Sequence, residues 1–181
     1  MSVIKVNQIQ TANGVIMANL NSSGANIGFQ LASTLAPAFS AYGNTSYSIT
    51  TNVDTKVRFQ NERFDTANCF DNATNFRFTP NVAGYYQINY ISRFQTAASP
   101  AMTIAYSMLY KNGSVYIVGN QFMGASTGTN WNIPSSELVY MNGTTDYLEV
   151  YLNVGGSSIL INDAATTSFV SSFSGFLARS A

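Results

Sequence analysis

Apolar and polar residues alternate along most of the chain beyond Pro37, and this alternation predicts β-strands. From Tyr86 to Tyr90 every second residue is apolar, and the residues between them are polar. Residues 148–152 alternate in the same way. Successive side chains of a strand point to opposite faces, so a period of two gives each segment one face in a core and one face outside it.

Short alternating runs of the same kind recur between turn residues, and no segment has a convincing helical period. Asn112-Gly113 and Asn142-Gly143 lie between such runs, and Asn-Gly readily adopts the backbone conformation of tight hairpin turns. The sequence therefore predicts an all-β protein with about ten antiparallel strands in two packed sheets. The two segments above belong to expected strands at residues 84–94 and 147–152. Further strands are expected at residues 39–42, 56–59, 75–79, 102–110, 115–118, 131–133, 137–141, 158–161 and 168–177.

A change in composition divides the chain into an N-terminal arm, residues 1–36, and a head, residues 37–181. No charged residue occurs from Val6 to Val53, and residues 19–28 (NLNSSGANIG) are mostly small and polar. Such a segment has little means of forming its own core, whereas an uncharged surface is easily desolvated against a partner. We therefore expect an extended arm that packs on other proteins, with a disordered tail as the alternative. The apolar arm residues expected to contact a partner are Ile4, Val6, Ile9, Val15 and Ile16.

The balance of charge narrows the classes of function. Among 181 residues, eight Lys and Arg offset eight Asp and Glu, and 46% of the chain is hydrophobic, which is ample for a core. A protein that binds nucleic acid normally carries a basic surplus, so this class of partner is not expected. The sequence has no apolar run of the length of a transmembrane helix, and residues 1–10 do not resemble a signal peptide. We expect a protein made in the cytosol, without membrane insertion.

The residue types that usually carry catalysis are scarce. The chain has no histidine, which removes the Ser-His-Asp and Cys-His nucleophiles and the commonest ligand of transition metals. Cys69 is the single cysteine, so no intrachain disulfide can form, and we expect a buried thiol. The eight acidic residues show no spacing typical of glycoside hydrolysis. We expect no enzyme and assign no catalytic, cofactor-binding or metal-binding residue.

Calcium is the one metal that the acidic residues leave open. Asp71-Asn72 and Asn162-Asp163 are oxygen-rich pairs, yet neither resembles a calcium-binding loop. Asn and Asp side chains also organise tight turns, and this accounts for both pairs more simply.

Five segments of the head follow one another in an order known from one protein family. They are AFSA at 38–41, FRFTP with GYY at 76–86, KNG at 111–113, residues 143–152 and FSGFL at 173–177. In these motifs the chain resembles the complement-component-1q-like branch of the tumour-necrosis-factor-like jelly rolls. It differs by one residue inserted between Pro80 and Gly84, and by Thr144-Thr145 in place of the usual Gly-Asp order. The resemblance implies a jelly-roll sandwich over residues 38–178.

Members of that family form tight homotrimers, so the resemblance implies that the head associates with copies of itself. The chain also has 11 Tyr and 12 Phe, more than one core of this size needs, and aromatic residues are enriched in buried interfaces. Phe173 and Phe176 point to opposite faces of their strand, so one can fill the core while the other faces a partner subunit. The residues expected at the trimer interface are Tyr85, Tyr147, Tyr151, Phe173 and Phe176.

The start of the chain carries a second resemblance. The phrase IKVNQIQTANG at residues 4–14 resembles the opening of many bacteriophage virion proteins, fibres in particular. It implies a non-enzymatic structural protein located in the virion. Within that class we expect a homotrimeric capsid decoration or cement protein, held by its arm to the major capsid protein or to other virion proteins. The short arm leaves little room for a shaft, which disfavours the alternative of a short tail fibre or receptor-binding tip.

A non-viral secreted complement-1q-like binding module is the second alternative. Such a protein would normally carry a signal peptide and often a collagen stalk, and neither pattern occurs in the sequence. Surfaces rich in Asn, Ser and Tyr also suit carbohydrate, through hydrogen bonds and ring stacking. The same groups suit solubility equally well, so the composition leaves a host surface glycan open as a further partner.

Overall fold

The computed structural model describes residues 8–10, 16–19, 36–96, 102–126, 130–161, 163 and 170–181. The chain divides into two compact units, residues 1–35 and 36–181. In the first unit β1 (Gln8–Gln10) pairs antiparallel with β2 (Ile16–Asn19), a strand pair that the alternation did not predict. Of the arm residues expected to contact a partner, Ile9 lies in β1, Ile16 lies in β2, and Ile4, Val6 and Val15 lie outside the described residues.

The head is built from strands β3 to β15, and no residue that the structure describes lies in a helix. The first six are β3 (Ala38–Tyr42), β4 (Tyr47–Ser48), β5 (Thr55–Lys56), β6 (Asn61–Asp65), β7 (Phe70–Asp71) and β8 (Arg77–Phe78). The others are β9 (Gly84–Gln95), β10 (Met102–Lys111), β11 (Ser114–Ser126), β12 (Asn130–Met141), β13 (Leu148–Gly156), β14 (Leu160–Ile161) and β15 (Ser172–Ser180).

These strands form two antiparallel sheets. The first, termed the β13 sheet, has the order β11-β10-β13-β8-β7, with β5 also paired to β13. The second, termed the β9 sheet, has the order β4-β14-β9-β15-β3-β6, with β12 also paired to β9. The expected all-β, two-sheet jelly roll is confirmed. Strands outnumber the expectation because β4, β6 and β7 were not predicted; β4 and β7 have two residues each, too few to show a period.

The core is centred on β9 and on a cluster of phenylalanine rings. On β9, Tyr86, Ile88 and Tyr90 are at most 1% exposed. The centroid of the Phe39 ring lies 4.4 Å from that of Phe78 and 4.9 Å from that of Phe173. Contacts of this kind add about 0.5–1.5 kcal/mol to the stabilisation that burial alone provides. The cluster therefore joins strands from both sheets.

Gly175 lies where β15 comes closest to its neighbours. A Cβ atom at this position would lie 2.6 Å from Ile88 Cδ1 and 3.0 Å from the Phe39 ring. Any side chain would therefore displace part of the core, and the sandwich keeps its spacing because the residue is glycine.

Asp146 ties together two turns at one end of the sandwich. Its carboxylate accepts hydrogen bonds from Lys111 Nζ and Asn112 Nδ2, both at 2.8 Å, and from the Asn142 N–H at 3.1 Å. The Asn142 side-chain oxygen in turn accepts hydrogen bonds from the backbone N–H groups of residues 144–146. These contacts close the turn before β13 without the residue order that is usual in the family.

The connection from β7 to β8 is organised by the Asp71 carboxylate. It accepts hydrogen bonds of 2.7–3.1 Å from the backbone N–H groups of Ala73, Thr74 and Asn75 and from Asn75 Nδ2. These donors, with the Thr74 N–H first among them, lower the pKa of Asp71 to about 2. The side chain thus serves a turn, which is the simpler of the two interpretations of Asp71-Asn72.

Phe173→Ala tests the phenylalanine cluster. The Phe173 side chain is 0% exposed, so removing the ring should lower the free energy of unfolding by about 3–5 kcal/mol, because burial is lost and a cavity remains. Phe173→Leu is the matched control and should cost clearly less, since it retains most of the buried volume. Denaturant unfolding followed by circular dichroism measures both. Equal midpoints for Phe173→Ala and the unchanged protein would contradict the placement of this ring.

Asp71→Asn tests the turn. A carboxylate with a lowered pKa in the folded state stabilises the protein above its ordinary pKa of about 3.9, and this contribution is lost as the pH falls toward 2. Asp71→Asn should therefore lower the Tm at pH 7, and the difference from the unchanged protein should shrink between pH 4 and pH 2. Thermal unfolding across this range measures the effect. Burial raises the pKa of Glu62, so Glu62→Gln is a control that should not show this pattern.

Candidate functional site

The outward side of the β9 sheet carries a contiguous apolar patch. Its members are 43–50% exposed, and the pairing of strands brings them together. Tyr140 lies opposite Tyr85, with ring centroids 5.5 Å apart. Leu138 of β12 and Phe176 of β15 lie on either side of Gln87 of β9. The residues Tyr85, Leu138, Tyr140 and Phe176 are termed the β9 patch.

A cavity of about 570 Å³ opens beside the β9 patch. It is lined by Tyr85, Leu138 and residues 178–181, which include the exposed guanidinium of Arg179. This lining holds neither an acidic side chain nor a nucleophilic thiol. The lining combines two large apolar side chains with one cationic side chain.

The other half of the same face is rich in amide and hydroxyl groups. Gln87 Nε2 donates a hydrogen bond of 2.8 Å to Ser136 Oγ, and Ser136 Oγ donates one of 3.0 Å to Asn89 Oδ1. A second cavity, of about 460 Å³, lies here and includes Ser172 and Ser174 in its lining. The face therefore passes from aromatic side chains at one end to hydroxyl and amide groups at the other.

Strand β11 forms a second exposed apolar region, at the edge of the β13 sheet. Its pairing with β10 shifts register at three points, so its free side is irregular. No charged residue occurs from Asn112 to Ser136. Five large side chains of β11, termed the β11 edge, are 38–73% exposed: Val115, Tyr116, Val118, Phe122 and Met123.

The structure places the expected trimer-interface residues in three different parts of the fold. Tyr85 and Phe176 belong to the β9 patch. Phe173 is 0% exposed in the core, so its assignment to an interface is wrong. Residues three apart on a strand face opposite sides, and the core takes Phe173 because it lies beside Phe39. Tyr147 and Tyr151 lie on the outward side of the β13 sheet, away from the β9 patch.

Two members of the β9 patch, Leu138 and Tyr140, were not among the expected interface residues. Both belong to the apolar segment 137–141 (ELVYM). Val139 and Met141 are 0% exposed, so the alternate residues Leu138 and Tyr140 must face outward. Because both faces of this segment are apolar, the alternation alone did not show which face enters the core.

The described residues include few groups that could bind a metal ion or act as a nucleophile. In the part of the chain that the structure describes, no group of three His, Cys, Asp or Glu side chains could hold a metal ion. Cys69 is 6% exposed, as expected, and burial raises the pKa of its thiol, which donates a hydrogen bond to the Ala67 carbonyl. A thiol in this state is a poor nucleophile. None of the described residues forms a helix long and apolar enough to cross a membrane.

Asp163 is the one expected calcium candidate that is fully buried. One of its carboxylate oxygens accepts a hydrogen bond from the Ser171 N–H at 2.5 Å, and the other has no hydrogen-bond partner among the described residues. Burial raises the pKa of this carboxyl group, which favours the protonated form. Asn162, its neighbour in the sequence pair, lies outside the described residues.

No family model matches the chain, and no curated protein sequence matches it. Solved structures do. The globular domain of zebrafish complement 1qA protein matches 81% of this chain and 99% of its own, with a TM-score of 0.57 and 15% identity. Eiger TNF from S. frugiperda matches with a TM-score of 0.58 at 10% identity, over 81% of this chain and 94% of its own. Murine APRIL matches with a TM-score of 0.54 at 8% identity, over 78% of this chain and 98% of its own. At these identities the likeness establishes the fold alone: the chain has the jelly-roll fold of complement 1q and tumour necrosis factor domains.

Proposed function

We propose that the chain is a non-enzymatic structural protein of a bacteriophage virion, a homotrimeric capsid decoration or cement protein. The β9 patch is the observation that carries the self-association of the heads. The phrase at residues 4–14 supports the virion location. In this arrangement the arms attach the trimer to the major capsid protein or to other virion proteins.

The exposed apolar area of the β9 patch is the reason to expect self-association. Its four side chains are 43–50% exposed in the single chain. Soluble monomers rarely expose large contiguous apolar patches, and large ones mark interaction sites. Aromatic side chains are also enriched in the buried centres of interfaces. A second copy of the chain can cover this patch with an apolar surface of its own.

The positions of the two apolar regions favour a ring over a two-fold dimer. The β9 patch lies on the outward side of one sheet, whereas the β11 edge belongs to the other sheet. The Asn120 N–H donates a hydrogen bond to Ser135 Oγ, which places β11 alongside β12 at the side of the sandwich. If the β9 patch of one copy contacts the β11 edge of the next, two unlike surfaces meet. Such a contact is heterologous and forms a ring when the rotation closes. The family resemblance supports three copies in that ring.

The uncharged β11 edge is inexpensive to desolvate in such a contact. No charged residue occurs from Asn112 to Ser136, a segment that holds the β11 edge and most of β12. Desolvation of uncharged side chains costs far less than desolvation of ions. The association should therefore depend only weakly on salt.

The arm needs a partner for a related reason. Ordering one residue costs about 1–2 kcal/mol of backbone entropy, so a segment without a core of its own must gain buried apolar area elsewhere. The uncharged run from Val6 to Val53 covers most of the arm. A capsid surface can supply buried apolar area to a segment of this composition.

Sedimentation equilibrium tests the trimer. The full chain at micromolar concentration should give three times the chain mass of 19.6 kDa. Leu138→Glu should lower this mass toward that of a monomer, because an unpaired carboxylate would have to be buried in the contact. Val53→Glu is the matched control: Val53 is 48% exposed, against 50% for Leu138, and lies outside the patch. A monomeric unchanged chain, or a trimeric Leu138→Glu variant, would count against the proposal.

Removal of the arm tests attachment. The cut belongs after residue 35, because the Ala36 carbonyl oxygen accepts a hydrogen bond of 3.1 Å from Thr66 Oγ1 in the head. The shortened chain should keep its trimeric mass but fail to bind virions stripped of the protein, and binding of the full chain should change little with salt. Co-sedimentation with stripped particles measures both. Equally tight binding by the shortened chain would favour the receptor-binding tip or the secreted module instead.

A further inference from the structure

The outward side of the β13 sheet combines tyrosines with polar and charged groups. Every second residue from 147 to 153 faces outward: Tyr147, Glu149, Tyr151 and Asn153. The residues between them are 0% exposed and lie in the core. Side chains two residues apart on a strand share a face. Together with groups from β5, β10 and the segment before β5 they form what is termed the tyrosine strip: Asp54, Lys56, Tyr110, Glu149, Tyr151 and Asn153.

The aromatic part of the strip is a stacked pair. The ring centroids of Tyr110 and Tyr151 are 3.9 Å apart, with 24° between the ring planes. Lys56 Nζ lies 5.8 Å from the centroid of the Tyr151 ring. At one end of the strip the Arg77 guanidinium lies 4.5 Å from the centroid of the Tyr147 ring. Each ring therefore has neighbours that fix its position.

The polar part of the strip is a connected set of hydrogen bonds. The Tyr110 hydroxyl donates to one Asp54 oxygen at 2.7 Å, and Asn153 Nδ2 donates to the other at 2.6 Å. Lys56 Nζ lies 2.5 Å from Glu149 Oε1. Asn153 and Glu149 are each 5% exposed, whereas Asp54 is exposed. The buried Glu149 and Asn153 thus hold the more accessible Lys56 and Asp54 in place at the surface of the strip.

A buried methionine shows that these side chains form a packed layer. Met108 lies opposite Tyr151 on the outward side of β10, yet it is 2% exposed and lies outside the main core cluster. Its neighbours on that side include Tyr110 and Val118. Tyrosine hydroxyls are protonated at neutral pH, and burial raises the pKa of Tyr110 and of Tyr151 further.

From this geometry we infer that the tyrosine strip binds a neutral oligosaccharide. A sugar presents C–H groups that pack on aromatic rings, and hydroxyls that both donate and accept hydrogen bonds. Tyrosine supplies a rigid ring together with a polar group, and the strip places carboxylate, amide and ammonium groups beside two such rings. Groups that are held in place before binding lose little conformational freedom when the ligand arrives.

The charges of the strip argue for a neutral ligand. Lys56 and Arg77 offset Asp54 and Glu149, so the strip and its Arg77 end carry no net formal charge. The exposed carboxylate of Asp54 would repel an anion. Peptides that dock through apolar anchors have better surfaces elsewhere, since the large side chains with the greatest exposure belong mostly to the β9 patch and the β11 edge. The inference does not depend on the trimer or on attachment to a virion.

Saturation-transfer NMR with the full chain tests the inference, with maltohexaose, cellohexaose and chitohexaose as separate probes at millimolar concentration. At least one sugar should receive saturation. Tyr151→Ala should weaken binding of that sugar at least about tenfold, because the stacked pair is lost. Asp54→Asn should also weaken it and is the safer variant for folding, since Asp54 is exposed. Phe64→Ala removes a 51% exposed ring from β6, at the edge of the other sheet and outside every surface proposed above; it is the control and should leave sugar binding unchanged.

Three results would overturn the inference. One is that none of the three neutral sugars receives saturation. Another is that Asp54→Asn and Phe64→Ala bind the sugar equally well while circular dichroism shows both to be folded. The last is that a heparin hexasaccharide, which is strongly anionic, binds more tightly than any neutral probe.

Discussion

The register of β9 determines both the core and the exposed patch. Tyr86 and Ile88 are 0% exposed, so Tyr85 and Gln87 must face outward. Because β9 pairs with β12, β14 and β15, its register also decides which side chains of those strands lie beside it. A slip of one residue would exchange the two faces and expose the core. The packing of the interior therefore holds the β9 patch in a fixed arrangement that a partner can recognise.

Long alternating segments such as β9 could be predicted from the sequence, but others could not. Strand β12 was predicted as two pieces, 131–133 and 137–141, because Pro134 and two serines interrupt the apolar pattern. Proline is tolerated there because β12 pairs with β9 on one side only. For the candidate site, alternation showed that Phe173 and Phe176 face apart. It did not show which sheet a tyrosine occupies, since pairing between distant strands leaves no local pattern.

Several of the few charged residues form ion pairs or hydrogen bonds within the fold. Lys111 and Asp146 join two turns, Lys56 and Glu149 join two strands, and Asp71 holds a third turn. The Glu149 and Asp146 side chains are only 6% and 12% exposed, and desolvation of such partly buried pairs offsets much of their attraction. The value of these contacts therefore lies more in fixing local geometry than in total stability. Because these charged residues lie within the fold, other surfaces, such as the β11 edge, carry no charge. Those surfaces are the ones to which we assign contacts between copies.

The irregular pairing of β11 has a consequence for solubility. A long strand at a sheet edge can template the addition of strand after strand, and charge repulsion normally helps to prevent this. With charged residues at 9% of the chain, that protection is weak here. Register shifts at three points along β11, and the missing N–H of Pro134 in β12, interrupt the row of backbone groups that an incoming strand would need. We expect these interruptions to hinder the growth of fibrils at high protein concentration, even though these edge strands expose apolar side chains.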